Sequence, residues 1–81
     1  MKIKLKFFAY YETLFQKDEM EVEISEHTTV RDVFFKVLHK NPHAHQLFKN
    51  TMFAVNQSYV QAATKLNSDD ELAFIPPVAG G

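Results

Sequence analysis

The chain has 81 residues, 46% of them hydrophobic and 23% charged, with a formal net charge of −1. That length makes one domain, and a domain this small buries about 60–65% of its unfolded surface, which leaves little for an internal active-site cleft. The absence of cysteine excludes a disulfide framework, a cysteine-ligated iron–sulfur cluster and a thiol nucleophile; no basic run invites nucleic acid, and no apolar stretch approaches the ~18 residues of a membrane span.

Residues 2–9 alternate, with Ile3, Leu5 and Phe7 on one face and Lys2, Lys4, Lys6 and Phe8 on the other, the pattern of a half-buried strand rather than a signal peptide. A soluble cytoplasmic protein is therefore expected. Ala9 to Phe15 loses the alternation and is predicted to form one or two helical turns before the polar turn Gln16-Lys17-Asp18. Residues 19–24 alternate again, setting Met20, Val22 and Ile24 against Glu19, Glu21 and Glu23. Paired antiparallel, the lysine face of the first strand and the glutamate face of the second would match opposite charges, worth roughly 0.2–1 kcal/mol per pair.

Thr29 and Asp32 then read as the cap of the main helix. Val30, Val33, Phe34, Val37 and Leu38 form one apolar stripe at helical spacing. Pro42 stops that helix, and Asn41-Pro42 is predicted to start a short second one, through Leu47 and Phe48, as cap and first residue. Residues 51–55 read as a third strand, Asn56-Gln57-Ser58 as a turn and Tyr59-Val60-Gln61 as a fourth strand. Asn67 to Asp70 is a polar turn, and Glu71 to Ile75 is the last strand, ended by Pro76-Pro77. One amphipathic helix and a mixed sheet of about five strands with one buried face make a two-layer α+β domain. With the first and last strands parallel and central, this is the β-grasp, or ubiquitin-like, arrangement over residues 1–75, followed by a flexible tail over residues 76–81.

No side-chain constellation stands out as a catalytic site. His39 and His43 have helical spacing but Pro42 lies between them, and with no supporting carboxylates or cysteines the histidines read as solvated, with no metal bound. The serines sit in turns without a motif, and Asp69-Asp70-Glu71 reads as a solvated turn. The distinctive feature is elsewhere. The two glycines of the chain are Gly80 and Gly81, where average usage would scatter about five or six through the turns. Glycine lets backbone pass where a side chain would clash, which suits a C-terminal carboxylate that must enter a narrow channel and react there. Pro76-Pro77 stiffens the root of such a tail and lowers the entropy lost on insertion.

Strand parity points to a docking face beside that tail. With Ile3, Leu5 and Phe7 inside, Phe8 faces outward; with Leu72 and Phe74 inside, Ala73 and Ile75 face outward; Tyr59 on the short fourth strand can join them. An exposed apolar patch of this kind marks a partner site. The alternative is that Phe8 or Ile75 is covered by Tyr10, Tyr11 or Phe15.

The ending Phe74-Ile75-Pro76-Pro77-Val78-Ala79-Gly80-Gly81 resembles that of the MoaD family, the small sulfur-carrying subunit of molybdopterin synthase. So do Phe7-Phe8-Ala9 after a basic strand, the turn Ala54-Val55-Asn56-Gln57, and the approach Asp70-Glu71-Leu72-Ala73-Phe74, in the family's order along the whole chain. Asp69 departs from the resemblance, because many relatives have glycine there, and a strained or reshaped turn is expected, without effect on the chemistry. The resemblance implies that Gly81 is adenylated by a MoeB-like adenylyltransferase using ATP and converted to a thiocarboxylate. Sulfur would then pass to a cyclic pyranopterin precursor in the MoaE-like large subunit, within a heterotetramer. It implies that Phe8, Tyr59, Ile75, Pro76, Pro77, Val78, Ala79 and Gly80 contact partners, that catalytic side chains belong to the large subunit, and that this chain binds no cofactor itself. A ThiS-type carrier for thiamin synthesis, a ubiquitin-like modifier and an inert β-grasp interaction module are the alternatives.

Overall fold

The computed structural model describes residues 1–77. Its elements, in chain order, are β1 (Lys2–Phe7), α1 (Tyr10–Phe15), β2 (Glu19–Glu23), α2 (Val30–Val37), α3 (Ala44–Lys49), β3 (Met52–Val55), β4 (Ser58–Val60) and β5 (Glu71–Ile75). The strands form one mixed sheet in the order β2-β1-β5-β3-β4, so β5 is central and runs parallel to β1. This is the β-grasp topology expected from the order of elements, with α2 as the principal helix.

Alternation sets the register. The β1–β2 pairing brings Lys2, Lys4 and Lys6 opposite Glu23, Glu21 and Glu19, and Glu19 lies 3.5 Å from the Lys6 ammonium and 3.8 Å from that of Lys4. A one-residue slip would move Ile3, Leu5 and Phe7 out of the core. All three are buried.

Four amides at the start of α2 have no partner within the helix itself, as at any helix start, and each finds one nearby. The Val30 and Arg31 amides donate to the carbonyls of Thr64 and Ala62 in the long β4–β5 connection, at 3.0 and 2.9 Å. Asp32 N–H donates to Thr29 Oγ1 at 3.1 Å while Thr29 N–H donates to the Asp32 carboxylate at 3.0 Å, the reciprocal capping box. Val33 N–H, donating to the Thr29 carbonyl, then makes the first regular bond of the helix. The connection that carries no strand of its own is thus fastened to the principal helix, and Leu66 is buried there.

Aromatic rings fill the space between helix and sheet. Phe34 meets Phe74 at 5.1 Å, Phe53 at 5.7 Å and Phe48 at 5.4 Å between ring centroids, and Tyr11 closes the cluster edge-on to Phe34 and Phe74. Burying a side chain of this size contributes about 1.5–3 kcal/mol. On the helical surface the Arg31 guanidinium lies over both Phe35 and Phe48, at 4.9 and 5.0 Å, and joins α2 to α3.

Some boundaries differ from the sequence expectation. The first strand ends at Phe7 because Phe8–Tyr11 turns sharply. The short helix predicted from Asn41-Pro42 begins at Ala44 with His43 as its cap residue; Asn41 Oδ1 accepts from His43 N–H at 2.8 Å, an Asx turn that uses up the residue expected to cap. Ser58 belongs to β4 and Gln61 does not, because the β3–β4 loop closes with two residues rather than three. Asp70 does more than stand in a turn: its carboxylate accepts from Asn67 N–H at 2.7 Å and from Asn56 Nδ2 at 2.9 Å, tying the β3–β4 turn to the head of β5.

Candidate docking face and tail root

Phe8, Tyr59 and Ile75 are brought together. They rim a shallow depression of about 180 Å³ on the sheet face away from the helices, with Ala54 and Ala73 in its lining and Gln57 and Glu71 at its side. The geometry follows from register: Ala54 lies opposite Tyr59 on one side and Ala73 on the other. Two adjacent alanines on central strands leave the hollow, and the large side chains stand around it. Phe8 is 47% exposed and Tyr59 68% exposed, while Ile75 is half-buried. Of the three rings read as alternative covers, Phe15 stacks on Phe7 at 4.4 Å, Tyr11 is wholly inside the core, and Tyr10 lies edge-on to Tyr11 and lines a different hollow.

Met52 and Ala54 were absent from the docking residues read from the sequence. Met52 pairs with Ile75 across β3–β5 and is 52% exposed, extending the patch toward the root of the tail. Ala54 is buried yet stands apart from the main hydrophobic cluster, covered by its neighbours on the outer face. The signal for both was parity: with Phe53 inside, Met52 and Ala54 must face outward. The outer face therefore has two halves. The β2–β1 half is a lysine–glutamate lattice, the β5–β3–β4 half is apolar, and Lys6, paired with Ala73 and ion-paired to Glu19, marks the boundary.

Pro76 is half-buried and Pro77 exposed, directly after the central strand. On the helical side of this root lies a second hollow of about 260 Å³, walled by Pro76 and Pro77 together with Tyr10, Tyr11, Leu47, Asn50 and Thr51. Burial raises the Tyr11 phenol above its usual pKa, and the hydrogen bond to Thr51 opposes part of that rise. Val78, Ala79, Gly80 and Gly81, expected to be the reactive and partner-binding tail, lie outside the described residues. Among the described residues no group of three or more histidine, aspartate or glutamate side chains could hold a metal ion, and no helix is long and apolar enough to cross a membrane.

A β-grasp domain with an apolar outer face beside the exit of its central strand has the form of a ubiquitin-like carrier protein. The chain belongs to the ThiS family, whose profile matches residues 5–81. It is 31% identical to the molybdopterin synthase sulfur carrier subunit of Chlamydomonas reinhardtii, over 100% of both chains. It is 33% identical to the subunit of the same name from Mycobacterium tuberculosis, over 100% of this chain and 99% of that one. Among solved structures, a putative molybdopterin converting factor subunit 1 from Pyrococcus furiosus superposes with a TM-score of 0.77 at 30% identity, covering 96% of this chain and 99% of that one. The fold alone is shared with small archaeal modifier protein 1 from Haloferax volcanii (TM-score 0.84, 20% identity, 100% of both chains). The same holds for a chain from the complex of molybdopterin-converting factor subunits 1 and 2 of Helicobacter pylori (TM-score 0.66, 17% identity, 100% of both chains).

Proposed function

We propose that this chain is the sulfur-carrying small subunit of a molybdopterin synthase, with residues 1–75 as the handle and residues 76–81 as the working tail. A MoeB-like adenylyltransferase joins the Gly81 carboxylate to AMP from ATP, releasing pyrophosphate and converting a poor electrophile into an acyl group with a good leaving group. Hydrosulfide attacks the acyl carbon and AMP departs, leaving the thiocarboxylate; where the donor is a persulfide, the acyl disulfide first formed is cut by a second thiol, which leaves with the donor as a disulfide. The tail then enters a MoaE-like large subunit, where its sulfur passes to the cyclic pyranopterin precursor; two such transfers build the dithiolene that holds molybdenum. ATP is used on the activating enzyme, and the assembly with the large subunit is a heterotetramer.

One observation carries this reading: end-to-end similarity above 30% to sulfur carrier subunits of molybdopterin synthase. The apolar depression supports Phe8, Tyr59 and Ile75 as docking residues, because it lies at the strand end from which Pro76 and Pro77 depart. Gly80 and Gly81 keep side chains away from the reacting carbon. A ThiS-type carrier for thiamin synthesis would share the activated terminus, and a ubiquitin-like modifier would transfer it to a lysine amine instead.

Intact-protein mass spectrometry tests the reading after incubation with a MoeB-like enzyme, ATP and a sulfur donor. The expected result is a gain matching one oxygen exchanged for one sulfur, mapped to Gly81. An unchanged mass, with the enzyme active on a known carrier, overturns it; an isopeptide to lysine moves the assignment to a modifier.

A further inference from the structure

The second hollow at the root of the tail is held by a hydrogen-bond chain that nothing in the carrier chemistry described above uses. Tyr11 on α1 is wholly buried and edge-on to Phe74, at 5.5 Å between ring centroids. Its hydroxyl bonds to Thr51 Oγ1, and Thr51 Oγ1 in turn donates to the Leu47 carbonyl at 2.6 Å. A threonine hydroxyl has a single proton. With that proton directed to Leu47, Tyr11 is the donor to Thr51, and the chain runs one way from α1 through Thr51 to the last turn of α3. Tyr11, Thr51 and Leu47 line the same hollow as Pro76 and Pro77.

We infer that Tyr11 and Thr51 are positioning residues for transfer at the tail: their hydroxyl bond holds the hollow that Pro76 and Pro77 also line and so sets the direction in which the chain leaves the sheet. The inference rests on the sulfur-carrier reading above. Docking through the outer face fixes the handle against a partner, but the reacting carbon belongs to Gly81, further along the chain than Pro76 and Pro77. Proline fixes its own φ, so at Pro76 and Pro77 few backbone torsions are left to correct the direction in which the chain leaves the sheet. Reaction within a docked complex depends steeply on that geometry. Tyr11 and Thr51 are off the outer face, so they act on aim without contributing to docking.

Steady-state adenylation by a MoeB-like enzyme, at saturating ATP and varied carrier, tests this. Tyr11→Phe keeps the ring and leaves Thr51 free to bond Leu47; Thr51→Val removes the link, and Thr51→Ser restores it. Losing one neutral hydrogen bond whose effect on transfer is felt after docking is expected to lower kcat by about three- to tenfold, with KM for the carrier held within about twofold. Tyr11→Phe and Thr51→Val combined should be no worse than either alone, and Thr51→Ser should match the wild type. Circular dichroism at the assay temperature verifies that each variant is folded. A bond that merely stabilised the fold would leave kcat of the folded variants unchanged, and that result overturns the inference. So does a loss confined to KM, which would put these residues in docking. Wild-type carrier that is not adenylated, by an enzyme active on a known carrier, overturns the sulfur-carrier reading first and this inference with it.

Discussion

Among the described residues, six that are not glycine adopt positive φ: Ala9, Gln16, His27, Asn56, Gln57 and Asp69. A chain whose glycines lie at positions 80 and 81 makes its sharp turns with residues that resist them. Ala9 is the most strained, at φ 48° and ψ −118°. With Tyr11 N–H donating to the Phe8 carbonyl at 3.0 Å, Ala9 occupies the first central position of a type II′ turn, normally glycine's. Asn56 and Gln57, at φ 51° and 71°, are the two central residues of the β3–β4 hairpin loop, where asparagine–glycine is favoured. Asp69, at φ 69°, bears out the expectation that the turn before the last strand is made against a side chain's preference. Strain of this kind costs about 1–3 kcal/mol per residue, offset in part by glycine's larger unfolded-state entropy. Urea denaturation should accordingly find Gln57→Gly stabilising by about 0.5–1 kcal/mol and Ala9→Gly by at least as much; a destabilised Ala9→Gly would refute the strain. Two ionisable groups bound the pH range. The Thr29 backbone N–H, and then its hydroxyl, hold Asp32 below the ordinary carboxylate pKa. Its contribution is present above the unfolded value, about 4, and is lost as pH falls through the folded one. Burial raises Tyr11, so its contribution is complete below the unfolded value, about 10, and is lost as pH rises through the folded one. Thermal melts against pH should show Asp32→Asn flattening the acid limb and Tyr11→Phe the alkaline limb.

Among the elements, the sheet does two jobs on one face. The β1–β2 lattice of lysines and glutamates keeps that edge solvated and in register. The β5–β3–β4 half pairs small residues, Ala73 and Ala54, beneath Tyr59, Ile75, Met52 and Phe8. A charge placed on this half should leave the core untouched and disrupt docking. Phe8→Asp, Met52→Asp and Ile75→Asp are each expected to weaken binding to the large subunit about tenfold or more, as for buried anchors of an interface, with calorimetry reading the affinity. Glu21→Gln, out on the charged half, should bind as the wild type does; equal losses for all four would mean that the patch has no special role. The helices serve the opposite face. The capping box and the Thr64 and Ala62 carbonyls fix where α2 begins, and Phe34 then stands among Phe53, Phe74 and Tyr11.

For the whole molecule, the proposed division between handle and tail predicts a clean separation of stability from chemistry. Deleting Gly80 and Gly81 should abolish sulfur transfer, read as loss of molybdopterin formed with the large subunit, and leave the melting temperature unchanged; a lowered melting temperature would show that the tail supports the fold. Much of this architecture was legible along the chain. Alternation at residues 2–9 and 19–24 and the apolar stripe of Val30 to Leu38 impose which face is buried, because a one-residue shift in a strand exposes every apolar side chain at once. The outward positions of Phe8, Ala73 and Ile75 follow from the same parity. Helix starts and loop lengths were less legible: Asn41 can cap a helix or close an Asx turn with equal chemistry, and only packing of Ala44 against the core chose between them. The sequence by itself determined the alternating faces, the principal helix and the placing of both glycines at positions 80 and 81, since each is written in neighbouring residues. Tertiary structure alone decided that Met52 joins Ile75 and that Tyr11 reaches Thr51, 40 residues away. Such pairs depend on which strands and helices become neighbours, and no local pattern encodes that.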